Sequence, residues 1–182
     1  MKTNPAKKKA SPPAKTPPDN SNAPIINLVP SFMRLKTILV PVDFSDFSAK
    51  AVKYAACFAR QFGATLTLIH VVEPVRYPES VLIPPEMEEA NQDRIKLARS
   101  SLKDFVKKHV PSTVGTETVT RLGHPFLEIT TAAKDIDADL IVIATHGHAG
   151  IKHLLLGSTA ERVVRLAPCP VLTVRENERE FV

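Results

Sequence analysis

Five short aliphatic runs alternate along this chain with four longer segments of helical character. The runs are rich in Val, Ile and Leu and predict β-strands at residues 36–42, 64–72, 114–122, 140–144 and 169–174. The segments between them predict α-helices at 46–62, 86–109, 125–136 and 158–166. Successive strands joined by helical crossovers pair in parallel. The alternation therefore predicts a doubly wound α/β domain, with one five-stranded parallel sheet and helices on both faces.

Two of these helices carry more detailed signals. Ser45 precedes the first helix as a plausible N-cap, and Gly63 follows it as a C-cap. The long charged helix at 86–109 has apolar residues at spacings that approximate one buried stripe, namely Ile95, Leu97, Leu102, Phe105 and Val106.

The first 32 residues differ in composition from the rest of the chain. They hold five lysines, one aspartate and seven of the 16 prolines. We therefore expect a disordered Pro/Lys-rich leader at 1–32, a folded domain at 33–176 and a short charged tail at 177–182. Without the leader, 19 basic residues face 18 acidic ones, so the net charge of +5 falls to about +1. This balance disfavours nucleic acid as a partner of the domain and leaves the basic leader as the only candidate contact. Met33 leaves open whether the true start is Met1 or Met33.

The sequence predicts neither a membrane span nor a secretory signal. No apolar run approaches the ~18 residues that cross a bilayer, and residues 25–29 are too few for the core of a signal peptide. Cys57 and Cys169 lack metal-ligand spacing and are expected to be reduced thiols. These features predict a cytoplasmic protein.

A glycine-bearing loop follows the fourth predicted strand. The segment Ala144-Thr-His-Gly-His-Ala-Gly150 leads to Gly157-Ser158-Thr159 at the start of the last helix. Small residues leave backbone N–H groups accessible, and a helix N-terminus adds unpaired donors and a partial positive charge. Strand, loop and helix start together predict a phosphate site. Neither the P-loop pattern nor the three-glycine dinucleotide fingerprint is present.

A second polar group, Pro41-Val42-Asp43, follows the first strand. Doubly wound sheets bind ligands at the carboxyl ends of their strands, where the strand order reverses. If the first and fourth strands are neighbours, this group and the loop at 144–159 face one crevice. His70-Val71-Val72 would form one wall of it, and Gly123-His124-Pro125 would approach from another side. Asp43 keeps two interpretations at this point: a turn or cap residue, or a carboxylate near a ribose hydroxyl or a phosphate-bound cation.

Four histidines need an interpretation. His146, His148 and His153 lack cysteine or carboxylate partners close in sequence, so no metal site is predicted. His146 is expected at the phosphates and the other two in exposed positions, whereas His70 is expected to be partly buried and hydrogen-bonded. Phosphoryl transfer needs a lysine clamp, a metal carboxylate and a base; the candidates are Asp43 and Lys152, and no second carboxylate is evident nearby. Binding or sensing is therefore favoured over turnover.

Several segments closely resemble the universal stress protein family. They are ILVPVDFS at 38–45, LIHVVEP at 68–74, the turn Gly123-His124-Pro125 and ATHGHAGIKHLLLGSTAERVVRLAPCPVLTVR at 144–175. The last segment follows the family's nucleotide pattern G-x2-G-x9-G-[ST], with Gly147 as second glycine and Gly157-Ser158 as final pair. Ala144 takes the place of the first glycine. With a positive φ this alanine would cost about 1–2 kcal/mol, and at an ordinary strand end very little.

The resemblance implies an adenine-nucleotide α-hydrolase-like fold with strand order 3-2-1-4-5, and a stress-response or signalling protein that binds ATP with or without Mg²⁺. It implies adenine at the backbone of Val71, ribose near Asp43, which would contact Mg²⁺ indirectly, and phosphates along 146–159. The candidate binding residues are Pro41, Val42, Asp43, Val71, Ile143, Ala144, His146, Gly147, Gly157, Ser158 and Thr159.

A homodimer through the last strand, Cys169 to Val174, is also expected. An apolar strand at a sheet edge invites pairing, and universal stress proteins commonly dimerise there. Two alternatives to an ATP-binding sensor remain open: a slow ATPase, and a structural dimer of the same fold that binds no nucleotide.

Overall fold

The computed structural model describes residues 34–74, 85–145 and 156–175, with the side chains of 85–87 left out. Strands and helices alternate within these ranges as β1 (Thr37–Pro41), α1 (Asp46–Phe62), β2 (Thr65–Val72), α2 (Pro85–His109), β3 (Thr116–Leu122), α3 (Pro125–Asp135), β4 (Leu140–Ala144), α4 (Ser158–Leu166) and β5 (Val171–Val174). The predicted elements are confirmed, with ends that shift by one or two residues. The last strand begins at Val171 rather than Cys169, where Pro168 and Pro170 have no N–H to donate to a ladder.

The strands form one parallel sheet in the order β3-β2-β1-β4-β5, so the predicted doubly wound fold and its order are confirmed. β1 is the central strand and pairs with β2 on one side and β4 on the other. The chain runs outward from β1 to β3, then returns to β4 and runs outward to β5. The strand order therefore reverses between β1 and β4, which places a crevice at their carboxyl ends.

Alternate residues of the central strands feed two separate hydrophobic cores. Ile38, Val40 and Val42 pack on the face covered by α1 and α2, and Leu39 packs on the face covered by α3 and α4. Both faces of the sheet are buried, which is why its strands read as continuous aliphatic runs.

Helix α1 has the caps that its sequence predicts. The Ser45 hydroxyl accepts a hydrogen bond from the Ser48 N–H at 3.2 Å, and Gly63 ends the helix in the left-handed conformation, with φ of 69°. The α1 N-terminus therefore starts at a fixed point directly after the turn at 43–45.

The buried stripe of α2 differs from the predicted one. Leu97 is 69% exposed, so its placement in the stripe is wrong. Ala98, Leu102 and Phe105 are the buried residues, at the i, i+4, i+7 spacing of one helix face, and Leu97 lies beside that face.

The expected leader at 1–32 and tail at 177–182 lie outside the described residues. Across the part of the chain that is described, no helix has the length and apolar character needed to cross a bilayer.

Candidate functional site

A cavity of about 920 Å³ opens at the carboxyl ends of β1, β2 and β4. It lies where the strand order reverses, at the position predicted for the crevice. The first turn of α4 borders one side of it, and the middle of α2, from Arg94 to Ser101, borders the other. Its volume falls in the upper part of the roughly 300–1,000 Å³ range typical of small-molecule sites.

The structure brings most of the predicted binding residues together in this cavity. The lining includes Pro41, Val42, Asp43, Val71, Ile143, Ala144, Gly157, Ser158 and Thr159. His146 and Gly147 lie outside the described residues, as do His148 and His153. Pro125 of the predicted turn also lines the cavity.

The turn between β1 and α1 carries Asp43 to the cavity. The Asp43 carboxylate accepts hydrogen bonds from the Ser45 N–H at 3.1 Å and from the Ser45 hydroxyl at 2.5 Å. The next residue, Phe44, has a φ of 66°, a left-handed conformation that is rare for a bulky side chain. Asp43 thus acts as a turn residue and lines the cavity at the same time, so its two interpretations are compatible.

The start of α4 presents backbone donors to the cavity. Gly157 is the N-cap and has no side chain that could satisfy the first N–H groups of the helix. Ser158 and Thr159 open the helix and line the cavity. The N–H groups of a first helical turn have no partner within the helix and carry the positive end of its dipole. An anion placed here would meet oriented donors.

The two ends of the glycine-bearing loop are tied together by the main chain. The Gly157 N–H donates to the Thr145 carbonyl at 2.7 Å, and a Cβ built on Gly157 would lie 2.9 Å from that same oxygen. The Gly157 backbone is extended, with φ of −67°, so glycine is needed here for space rather than for its φ.

Ala144 occupies an ordinary strand end. It pairs with Val174 in the sheet, and among the described residues other than glycine only Phe44 and Asp137 have a positive φ. Its side chain packs against the core on the α1 face. The alanine therefore carries no left-handed backbone strain.

The charges at the cavity are few. Among the described lining residues, the charged side chains are those of Asp43, Glu73 and Arg94. Sequence reasoning missed Glu73 and Arg94, and the statement that no second carboxylate lies near Asp43 is wrong for the cavity as a whole. Attraction of an anion here rests on Arg94 and on backbone N–H groups more than on a cluster of cations.

Helix α2 is the largest contribution that the sequence did not reveal. Arg94, Leu97, Ala98 and Ser101 line the cavity from one stripe of this helix. The topology could have indicated that α2 borders the cavity, because a helix that follows a parallel strand begins at the carboxyl edge of the sheet.

His70 is half-buried and hydrogen-bonded, as its position predicts. Its Nδ1 lies 2.7 Å from the Val42 carbonyl oxygen, and its ring centroid lies 4.4 Å from that of Phe44. The ring also lines the cavity.

Within the described ranges, no group of three or more His, Cys, Asp and Glu side chains is arranged to hold a metal ion. The charged side chains of the described residues that line the cavity are one guanidinium and two carboxylates.

The sequence profile of the universal stress protein family matches residues 34–175. Universal stress protein MJ0531 of Methanocaldococcus jannaschii is 36% identical over 152 residues, which cover 80% of this chain and 85% of that protein. The solved structure of universal stress protein UspA from Lactobacillus plantarum is 33% identical, with a TM-score of 0.65, and covers 79% of this chain and 99% of that one. A universal stress protein solved in complex with cAMP is 25% identical, with a TM-score of 0.57, and covers 79% and 98%.

Proposed function

This chain belongs to the universal stress protein family, and from that premise we propose that its cavity binds ATP or a closely related adenine nucleotide. One observation carries the proposal. The residues at the ends of β1, β2 and β4 and the first turn of α4, far apart in sequence, line a single cavity. A relative of the same fold was solved in complex with cAMP, which supports an adenine nucleotide as the ligand class.

The phosphates would bind at the start of α4. Backbone N–H groups there, together with the exposed Ser158 and the neighbouring Thr159, supply donors to phosphate oxygens. Hydrogen bonds to a charged group contribute roughly 1.5–3 kcal/mol each, so three or four of them offset the ordering costs of binding and reach micromolar affinity. His146 and Gly147 are proposed to complete this subsite.

The nucleoside would lie between the strand ends. We place adenine against the backbone of Val71 and the ribose near Asp43, with Pro41, Val42, Ile143 and Ala144 as the surrounding wall. The Asp43 carboxylate is also the group that would reach a phosphate-bound Mg²⁺ indirectly.

We propose that the protein acts in a stress response by binding or sensing the nucleotide, and that it does not hydrolyse it. Among the described lining residues there is no lysine to clamp a transferring phosphoryl group, and Lys152, the candidate from the sequence, lies outside the described residues. Glu73 is the one observation that favours the second candidate, a slow ATPase, because it adds a carboxylate that could position a metal or a water.

Mass spectrometry of the freshly purified, denatured protein tests the proposal. Near-stoichiometric release of ATP, ADP or AMP is expected, followed by saturable binding of ATP with Mg²⁺ in titration calorimetry. If the phosphates bind at the start of α4 and the ribose near Asp43, the Ser158→Ala and Asp43→Asn variants are both expected to bind ATP more weakly than the parent. No released nucleotide together with no heat of binding would favour the structural dimer instead.

We further propose that two copies pair through β5, the edge strand of the sheet. The carbonyls of Pro170 and Val174 accept hydrogen bonds from the N–H groups of Ile141 and Thr145. Backbone groups two residues apart in a strand point to the same side. The N–H and C=O of Val171 and Thr173 therefore face the open edge. Val164 and Leu166 of the neighbouring α4 are 46% and 53% exposed and would be covered by a partner.

Thr173→Pro removes one edge-facing N–H and is expected to shift the protein from dimer to monomer in light scattering. Leu172→Pro is the matched control. It removes an N–H that faces β4, so it weakens the pairing within the sheet and leaves the edge-facing N–H groups of Val171 and Thr173 in place. A parent mass near 20.0 kDa at micromolar concentration would contradict the dimer.

We also propose that the protein is cytoplasmic. Cys57 and Cys169 are both free thiols, which agrees with a reducing environment and with a cytoplasmic protein.

A further inference from the structure

The turn that carries Asp43 is held from β2 by both backbone groups of Val42. The Val42 N–H donates to the Ile69 carbonyl at 2.8 Å. The Val42 carbonyl oxygen lies 2.7 Å from Nδ1 of His70. Because a carbonyl oxygen only accepts, Nδ1 carries the proton in this contact and His70 is the donor. A side chain of β2 thus holds, by a hydrogen bond, the residue that directly follows β1, at the start of the turn.

The same imidazole ring supports the strained residue of the turn. Phe44 holds its left-handed φ of 66° with its ring 4.4 Å from His70 and in an edge contact with Phe105 at 5.8 Å. Strain of this kind persists only where the surroundings enforce it, and it concentrates at functional sites. His70 contacts the residues on both sides of Asp43, one by a hydrogen bond and the other by ring packing.

We propose that His70 is a positioning residue, which through its Nδ1–H bond to Val42 holds the turn at 42–44 so that Asp43 faces the nucleotide. The inference rests on the proposed function, since Asp43 must contact the ligand for its position to matter. His70 would thus raise the affinity for the nucleotide by fixing the position of Asp43, without any direct contact between the His70 ring and the ligand.

Two isosteric substitutions separate this role from others. Asparagine places an N–H donor at the δ position that Nδ1 occupies, whereas glutamine places it one bond farther, at the position of Nε2. Both lose the ring and its packing on Phe44. His70→Asn is expected to bind ATP within about threefold of the parent. His70→Gln is expected to bind about tenfold more weakly, because without this hydrogen bond the turn holds Asp43 toward the ligand only about a tenth of the time.

A double-mutant cycle tests whether the effect passes through Asp43. In an Asp43→Ala background, His70→Gln is expected to weaken ATP binding no further, because the residue that it positions is gone. Undiminished, additive losses would overturn the proposal. So would glutamine binding as tightly as the parent, which would indicate a direct Nε2 contact, or equal losses in the asparagine and glutamine variants, which would leave only ring packing.

NMR of the ligand-free protein keeps this test independent of nucleotide binding. Long-range ¹⁵N correlations are expected to show Nδ1 as the protonated nitrogen of His70. The Ser45 amide shift should move less in His70→Asn than in His70→Gln, because only the ring is lost in the first and both the ring and the hydrogen bond in the second. A parent protein in which His70 carries its proton on Nε2 would overturn the proposed hydrogen bond from Nδ1–H to Val42. The Nδ1–H tautomer in a protein that binds no ATP would overturn the proposed function, and with it the effect of His70 on affinity, but would leave the His70–Val42 hydrogen bond in place.

Discussion

Gly157 offers the sharpest test of how the proposed phosphate subsite is built. Its N–H donates to the Thr145 carbonyl at 2.7 Å, and a Cβ added to it would lie 2.9 Å from the same oxygen. Real Cβ atoms do not approach a carbonyl oxygen that closely, and here the obstructing atom belongs to the backbone. In Gly157→Ala the start of α4 must therefore move away from the end of β4.

The size of the effect follows from two opposing contributions. Overpacking a tight contact costs about 1–3 kcal/mol of unfolding free energy. Replacing glycine by alanine also restricts the unfolded chain, which returns about 0.4–1 kcal/mol. The net loss is therefore roughly 0–2.6 kcal/mol, which corresponds to a melting temperature lower by up to about 10 °C for a domain of this size. Loss of one charge-assisted hydrogen bond to phosphate would weaken ATP binding by about tenfold or more.

Differential scanning calorimetry and ATP titration on Gly157→Ala measure both quantities. Gly115→Ala is the matched control, because its Cβ would meet Thr65 Oγ1 at 3.9 Å, an ordinary contact, and its backbone has no positive φ. The control is expected to melt at or slightly above the parent and to bind ATP normally. If Gly157→Ala behaves like Gly115→Ala in both assays, the tie between β4 and α4 is not rigid and the steric argument is wrong.

Three further outcomes are expected. Deleting residues 1–32 should leave the melting temperature within a few degrees, whereas a large fall would show that the leader docks on the domain. Burial, followed by the charges of Lys108 and Lys53, lowers the pKa of His109 in the fold, against an opposing effect of Asp46. The unfolded chain therefore takes up this proton first, so the unfolding free energy should fall as pH drops from about 6.5 through the folded pKa. Urea titrations should show a flatter pH dependence in His109→Gln. Ala144→Gly should lower stability by about 0.5–1 kcal/mol without tightening ATP binding, and a clear gain in affinity would show that the methyl obstructs the ligand.

The fold was largely predictable because its signals are local and periodic. Runs such as Ile38–Val40 are apolar on both sides since both faces of the sheet are covered, and Ser45 and Gly63 mark the ends of α1 through their own chemistry. The crevice followed from the strand order, which the family resemblance supplied.

The α2 side of the cavity could not be predicted, for a physical reason. The helix period distinguishes buried from exposed positions, but a cavity face is apolar and exposed at once. Leu97 therefore resembles a core residue in the sequence and is 69% exposed in the fold. The sequence around Phe44 gives no local signal for its left-handed φ either. The residues that contact its ring, His70 and Phe105, are distant in the sequence.

The glycine positions of the nucleotide pattern make different physical demands. At 144 the chain is still in the sheet, paired with Val174, and a methyl group has room against the core, so alanine satisfies the position without strain. At 157 the chain passes within hydrogen-bond distance of Thr145, where a methyl group has no room even though the backbone conformation suits any residue. A departure from the pattern at 144 is therefore compatible with nucleotide binding. The same substitution at 157 would separate the strand end from the helix start that together form the proposed phosphate subsite.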